Sequence, residues 1–133
     1  GKHILLVEDN EVNREIAATI LSHAGLTVDT ASDGLEAVEI MESMEKTGPG
    51  TYDLIFMDIM MPYMNGWDAT RKIRTLQRPD ADKIPIIAMS ANAFAEDIIN
   101  SHISGMNWHL TKPIDADKMM TALKECIRKN NIR

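Results

Sequence analysis

The chain has 133 residues, 44% of them hydrophobic, a length that fits one ordinary domain with a substantial core. A net charge of −6 and a sequence pI of about 5.1 argue against a basic surface for direct binding of DNA or RNA. No apolar run approaches the roughly 18 residues of a membrane span. We therefore expect neither membrane insertion nor a signal peptide, and the single Cys126 fits a reducing cytoplasm.

Strand-like and helix-like stretches alternate five times along the chain. The predicted elements in order are strand His3–Val7, helix Val12–Ala24, strand Leu26–Ala31, helix Gly34–Lys46, strand Leu54–Met57, helix Trp67–Leu76, strand Ile84–Met89, helix Ala93–Ile103, strand Trp108–Leu110 and helix Ala116–Lys129. Five such units predict a single α/β domain over residues 1–133, with a parallel sheet covered by helices on both faces.

Polar side chains follow four of the five predicted strands. Glu8 and Asp9 follow the first strand, Asp58 the third, Ser90 the fourth and Lys112 the fifth. Ligand sites in open parallel α/β sheets form at the carboxyl edge of the strands. If these strands are neighbours, the five side chains converge on one shallow pocket. Taken alone, Asp58 also fits a helix cap or an ordinary loop acid.

Three carboxylates in one pocket repel one another, at a cost of about 3–4 kcal/mol for each close pair at an effective dielectric near 20. A hard cation would neutralise them, and Mg²⁺ (or Mn²⁺) prefers such oxygen ligands together with a phosphate. Lys112 adds a positive charge and Ser90 a hydroxyl donor, both suited to phosphoryl oxygens. These parts predict phosphoryl transfer to a carboxylate, with Asp58 as the nucleophile.

The chain resembles the receiver domain of two-component response regulators in four segments, ILLVEDN, DLIFMDIMMPYMNG, IPIIAMSAN and HLTKPI. The resemblance covers essentially the whole chain and implies a flavodoxin-like fold with strand order 2-1-3-4-5. It also implies Mg²⁺ held by Asp9, Asp58 and the main-chain carbonyl of Met60, with Glu8 acting through water. Asp58 matches the residue that takes a phosphoryl group from a partner's phosphohistidine.

The same resemblance assigns roles near the fifth strand. Ser90 matches the switch hydroxyl, Lys112 the invariant lysine, and Lys112–Pro113 the family's cis peptide. Family members often carry Tyr or Phe three residues before the lysine, as a ring that turns inward, whereas this chain has His109. We expect this departure to leave the phosphorylation chemistry intact. His109 is then either an ordinary half-buried ring or a switch residue with pH sensitivity.

The phrases VEDNEVNREIA, MDIMMPYMNGWDATRKIR and MSANAF most resemble receivers fused to hybrid sensor histidine kinases. We therefore expect a cytoplasmic domain excised from such a kinase, whose parent chain can be anchored in the inner membrane. A free-standing single-domain response regulator is the alternative. The domain by itself would catalyse only its own phosphorylation and dephosphorylation. Its expected partners are a kinase phosphohistidine domain, a histidine phosphotransfer domain or both, and a weak dimer is compatible with the sequence.

The first predicted helix carries two apolar residues away from its main stripe. The stripe expected to face the sheet is Asn13, Ala17, Ile20, Leu21 and Ala24. Ile16 lies about 80° from its centre and Val12 about 120°, at 100° per residue. Either these are ordinary edge residues, or they form a rim onto which the phosphohistidine partner docks.

Two other classes share parts of this pattern. A haloacid-dehalogenase-type phosphatase needs a second acid two residues after its nucleophile, where this chain has Met60. A flavodoxin-type module would bind the FMN phosphate in the loop after the first strand, where Glu8 and Asp9 would repel it. Both remain distant alternatives.

Overall fold

The computed structural model of the chain describes residues 2–47, 52–76, 84–91, 94–112 and 114–132. Within them, strands and helices alternate as β1 His3–Val7, α1 Glu11–His23, β2 Thr27–Ala31, α2 Gly34–Thr47, β3 Leu54–Asp58, α3 Gly66–Arg74, β4 Ile86–Ser90, α4 Ala95–Ser104, β5 Trp108–Thr111 and α5 Ala116–Ile132. All strand pairs are parallel, and the sheet order is β2-β1-β3-β4-β5. The predicted fold class and strand order are therefore confirmed.

The central strands are buried on both faces because helices cover the sheet from either side. Leu5 and Val7 of β1 belong to a core cluster that also holds Met41 of α2 and Ile73 of α3. The alternate β1 residues Ile4 and Leu6 belong to a second cluster, which includes Leu21 of α1 and Leu123 of α5. None of the described helices has the length and apolar character required to cross a bilayer.

Most predicted elements differ from the observed ones by one to three residues at an end, and two of these differences have a local chemical reason. β4 begins at Ile86 rather than Ile84, because the intervening Pro85 has no N–H to donate to the ladder. α3 begins at Gly66 rather than Trp67 because Asn65 caps the helix. The Asn65 side chain accepts a hydrogen bond from the Asp68 amide at 2.8 Å, which satisfies one of the free N–H groups of the first turn.

The stripe predicted for α1 is partly wrong. Ala17 and Leu21 are buried against the sheet as expected. Asn13 is exposed; it lies in the first turn of α1, where its N–H donates to the side chain of the cap residue Asn10. Ala24 is also exposed, because α1 ends at His23 and Ala24 is its C-cap. The buried face of α1 is thus shorter than the sequence period suggested.

The loop from β3 to α3 folds tightly back onto the end of β3. The Gly66 N–H donates to the Ile59 carbonyl at 2.8 Å, and a side chain at Gly66 would overlap the main-chain carbonyl of Asp58. Tyr63 has a φ of 67° in the left-handed region, where the Met64 N–H donates to the Pro62 carbonyl at 2.7 Å. Such a backbone costs a non-glycine residue about 1–3 kcal/mol and is typical of functional loops.

Candidate functional site

The carboxylates predicted to converge do so at the carboxyl edge of the sheet. β1 and β3 are neighbours, with Val7 opposite Met57, so the residues that follow them lie side by side. Carboxylate oxygens of Glu8, Asp9 and Asp58 lie within 4.8 Å of one another. Glu8 and Asp58 are each only 3% exposed, whereas Asp9 is exposed. The cluster therefore has two buried acids and one that faces solvent.

Glu8 is held in place by the start of α1. The Asn10 N–H donates to Glu8 Oε1 at 3.1 Å, and Arg14 Nη1 donates to the Glu8 carbonyl oxygen at 2.9 Å. Asn10 is also the N-cap of α1, with its side chain accepting from the Asn13 amide at 2.9 Å. The end of β1 and the first turn of α1 thus form one hydrogen-bonded unit around the acidic cluster.

Lys112 supplies a positive charge to the two buried acids. Its Nζ lies 3.0 Å from Glu8 Oε2 and 3.2 Å from Asp58 Oδ2. The main chain places it there, because the Lys112 N–H donates to the Ser90 carbonyl at 2.7 Å. With three carboxylates and this one ammonium group, the cluster keeps an excess of negative charge when every acid is ionised.

This charge balance changes the acidity of Asp58. Burial, followed by the charge of Glu8 and a hydrogen bond with it, raises the pKa of Asp58 to about 8 against the opposing influence of Lys112. For Lys112, burial lowers the pKa, but attraction to Asp58 and Glu8 outweighs burial and leaves it raised. Without a cation, Asp58 therefore tends to retain its proton near neutral pH.

The acidic cluster fits a hard divalent cation. Its donors are all carboxylate oxygens, and among the described residues the two buried acids, Glu8 and Asp58, share the ammonium group of Lys112. Mg²⁺ takes such oxygen ligands and commonly keeps several waters, which the exposed position of Asp9 permits. Glu8, Asp9 and Asp58 could therefore hold a metal ion.

Ser90 and His109 are joined by a hydrogen bond that the sequence did not reveal. Ser90 is the last residue of β4 and is buried. His109 lies on β5 opposite Ala88, and its Nε2 lies 2.8 Å from Ser90 Oγ. The half-buried ring that the sequence allowed at position 109 thus already contacts the predicted switch hydroxyl.

The remaining predicted site residues that the structure describes have exposed side chains. Met60 follows Asp58 in the β3–α3 loop with an exposed side chain. Val12 and Ile16 project from α1 with 63% and 50% of their surface exposed. The predicted Lys112–Pro113 cis peptide lies outside the described residues, because Pro113 is not among them.

A cavity of about 390 Å³ opens beside the acidic cluster, between α1 and the segment after β5. Sequence reasoning missed it, because it requires α1 to lie across from that segment. The only local sequence signal for the cavity was Ile114, the apolar residue that ends the segment HLTKPI. The cavity is lined by Glu8, Asn13, Ile16, Ala17, Met89, Ala91, Lys112 and Ile114.

Known proteins identify this arrangement. Residues 4–124 match the family model of the response regulator receiver domain. The chain belongs to this family. The receiver is 37% identical to the receiver domain of sensor histidine kinase PA1611 from Pseudomonas aeruginosa, with a TM-score of 0.83 over 96% of this chain and 98% of that one. That structure is described with a magnesium ion coordinated in the active site cleft.

Curated relatives contain the receiver as a small part of a longer chain. It is 37% identical over 131 residues to a probable histidine kinase 2 of Oryza sativa, covering 92% of this chain and 12% of that protein. It is 45% identical over 121 residues to the transcription factor SKN7 of Chaetomium thermophilum, covering 91% and 15%. The chain is therefore a two-component receiver, homologous to those of histidine kinases and spanning a small fraction of these relatives.

Proposed function

We propose that this receiver accepts a phosphoryl group on Asp58 from the phosphohistidine of a partner protein. One observation carries the proposal: Asp58 Oδ2 is buried at the end of β3, 3.2 Å from Lys112 Nζ and next to the Glu8 and Asp9 carboxylates. A carboxylate between an ammonium group and a candidate cation site has the surroundings that phosphoryl transfer requires.

Each side chain then has a defined part in the transfer. An oxygen of ionised Asp58 attacks the phosphorus, while the P–N bond to the donor imidazole breaks and its electron pair returns to nitrogen. Lys112 Nζ, already 3.2 Å from Asp58, pairs with the charge of the incoming phosphoryl oxygens. Ser90 O–H donates to one of those oxygens. The Asp58 proton must leave before the attack, because burial and Glu8 raise its pKa.

Mg²⁺ (or Mn²⁺) would be held by Asp9, Asp58 and the main-chain carbonyl of Met60, with Glu8 acting through water. When bound, it supplies positive charge that offsets the carboxylates and the phosphoryl oxygens. The chain's contribution is to fix the carboxylates, through the cap at Asn10 and the tight turn at Gly66, before any ligand arrives.

Incubation with acetyl phosphate and Mg²⁺, followed by intact mass measurement, tests this function. Wild type should gain one phosphoryl group, and Asp58→Asn should gain none. Asp68→Asn, which alters an exposed acid on α3, is the matched control and should behave like wild type. A phosphoryl adduct on Asp58→Asn, or none on wild type, would contradict the assignment.

We also propose that the receiver belongs to a hybrid histidine kinase and that the domain alone catalyses only its own phosphorylation and dephosphorylation. Relatives named as histidine kinases support the first part of this proposal. The donor would be the kinase's phosphohistidine, and a histidine phosphotransfer domain would be the next acceptor. A free-standing response regulator remains the alternative. The cytoplasmic location of the domain stays a prediction.

The partner would dock on the exposed side of α1. Val12 and Ile16 present apolar surface beside the loop that holds Asp9, and the cavity lined by Ile16 and Ile114 opens next to them. An apolar rim around a polar centre suits a transient interface of modest area. Docking there would bring the partner's phosphohistidine close to Asp58.

A further inference from the structure

His109, at the contact between β4 and β5, uses one of its two ring nitrogens in a hydrogen bond and leaves the other unpartnered among the described residues. His109 Nε2 lies 2.8 Å from Ser90 Oγ. The other ring nitrogen, Nδ1, is buried and has no hydrogen-bond partner among the described residues. Strand register fixes this arrangement, since His109 is paired with Ala88 and Ser90 with Thr111 on adjacent parallel strands.

The unpartnered nitrogen indicates which tautomer the ring adopts. A neutral imidazole has one N–H donor and one acceptor nitrogen. A hydrogen on Nδ1 would leave a buried N–H unpaired, which in proteins is rarer than an under-used acceptor. The hydrogen therefore belongs on Nε2, and His109 donates to Ser90 Oγ.

We propose that His109 is a positioning residue for phosphoryl transfer, in that its Nε2–H donates to Ser90 Oγ and directs the Ser90 O–H toward the phosphoryl group on Asp58. This inference rests on the proposed function. A serine hydroxyl that accepts from His109 still has its own hydrogen to donate. Asp58 ends β3 opposite Met89, the residue before Ser90, so a phosphoryl group on Asp58 lies at the same edge of the sheet.

His109 and Ser90 then form a chain of hydrogen-bond donors that leads from the imidazole ring to the phosphoryl group. Nε2–H donates to Oγ, and the Ser90 O–H donates to a phosphoryl oxygen, so each bond polarises the next. With the opposite tautomer, Ser90 would have to give its hydrogen to His109 and could not donate to the phosphoryl group. The tautomer of one ring therefore decides whether Ser90 can assist.

The ring also lines a crevice between α4 and β5. This crevice has a volume of about 130 Å³ and includes Ser101 and His102 of α4. Ser101 accepts a hydrogen bond from Trp67 Nε1 at 3.0 Å, which ties α4 to α3. His102 shares the crevice but is exposed, so it provides a matched control for changes at His109.

Nitrogen-15 NMR of labelled histidine tests the tautomer in the unmodified protein. The shifts assigned to His109 should show the hydrogen on Nε2, before and after treatment with acetyl phosphate and Mg²⁺. A hydrogen on Nδ1 in both states would overturn the proposal, because Ser90 would then be the donor to the ring. The tautomer of His109 can be measured without phosphorylation. A failure of the proposed function would therefore be detected separately, because the intact mass of wild type would remain unmodified.

Phosphorylation rates with acetyl phosphate test the positioning role. His109→Phe keeps a ring but removes the donor, and should slow phosphorylation by about fivefold, the scale of one hydrogen bond. His109→Gln can donate from its amide nitrogen and should restore most of the rate. His102→Phe and His102→Gln should match wild type. A His109→Phe rate equal to wild type, or a Gln variant as slow as the Phe variant, would overturn the proposal.

A double-mutant cycle with Ser90→Ala shows whether His109 acts through the hydroxyl. If it does, adding His109→Phe to Ser90→Ala should cause no further loss of rate, because the Ser90 hydroxyl through which His109 acts is already absent. A full additional loss would mean that the ring only supports the structure. Because the cycle compares rates among variants that share the substitution, a general loss of packing at His109 appears in both backgrounds and cannot imitate the expected result.

Discussion

At the scale of single residues, Asp58 is under two opposing influences. Burial and the neighbouring Glu8 favour its protonated form, whereas Lys112 favours the carboxylate. Only the carboxylate can attack phosphorus. A cation bound by Asp9 and Asp58 would favour the same ionised form, so metal binding and readiness for phosphorylation are linked at this side chain. Asp9 and Lys112 thus assist Asp58 by different means.

Substitution of Lys112 and Asp9 should separate the contribution of the lysine charge from the contribution of metal binding. Lys112→Ala should leave Mg²⁺ binding nearly intact, because Lys112 is not a ligand, but should slow phosphorylation by at least about tenfold through loss of a charged contact. Asp9→Ala should abolish both, because it removes a direct ligand of the metal. Isothermal titration with Mg²⁺ and the acetyl phosphate rate measure the two effects.

Exposed residues on α5 provide the controls for this pair. Lys124→Ala and Asp117→Ala remove the same charges from solvent-facing positions away from the pocket, and both should behave like wild type. Equal loss of Mg²⁺ binding in Lys112→Ala and Asp9→Ala would show that the role assigned to Lys112 is wrong.

At the scale of elements, the sequence was informative where one strand or helix carries its own signal. The apolar run Leu54–Met57 located β3, and the acid that ends it located the site. Relations between elements were harder to predict. The bond between Ser90 and His109 depends on the register of β4 against β5, and no local pattern specifies that register. The exposure of Asn13 likewise depends on how α1 packs against its neighbours, which the helical period alone does not give.

The α1 helix is the element on which the docking proposal depends. Val12→Asp and Ile16→Asp place a charge on the proposed apolar rim without disturbing the core, because both side chains are half exposed or more. Transfer from a phosphohistidine protein should slow at least about tenfold, equivalent to about 1.4 kcal/mol. Acetyl phosphate needs no docking, so its reaction should persist.

Two apolar residues on α4 make this comparison specific. Ile99 and Ile103 are as exposed as the α1 pair, so Ile99→Asp and Ile103→Asp introduce the same charge on another helix. These variants should accept phosphate from both donors at wild-type rates. If the α1 variants slow equally with both donors, α1 is only destabilised; if the α4 variants match the α1 variants, the effect is one of net charge. Either result contradicts docking on α1.

At the scale of the whole molecule, we expect the acidic cluster to lower the free energy of unfolding of the domain that holds it. Two apolar clusters, one on each face of the sheet, supply the core, while the carboxyl edge concentrates buried acids in a chain with a net charge of −6. Repulsion among acids exists in the native state and disappears on unfolding. A ligand that binds only the native state relieves it and stabilises the protein by mass action. Global stability should therefore report on this one pocket.

Thermal unfolding in EDTA as a function of pH measures that link. The native pKa of Asp58, about 8, is above its ordinary value of 3.8, so between these values the native state binds a proton that the unfolded state has released. The free energy of unfolding should therefore fall as pH rises through this interval and level off above about pH 8. Asp58→Asn lacks the titrating group, so its melting temperature should change less over the same interval and exceed that of wild type at about pH 8 in EDTA.

Millimolar Mg²⁺ provides the complementary arm of this experiment. It should raise the melting temperature of wild type most at the alkaline end, where Asp58 is ionised, and should stabilise Asp58→Asn less, because one ligand is lost. Asp68→Asn, on the surface of α3, should follow wild type in every condition. If wild type melts at the same temperature in EDTA and in Mg²⁺ across the whole pH range, the acidic cluster does not bind the metal. If Asp58→Asn shows the same pH slope as wild type, the destabilisation does not come from Asp58.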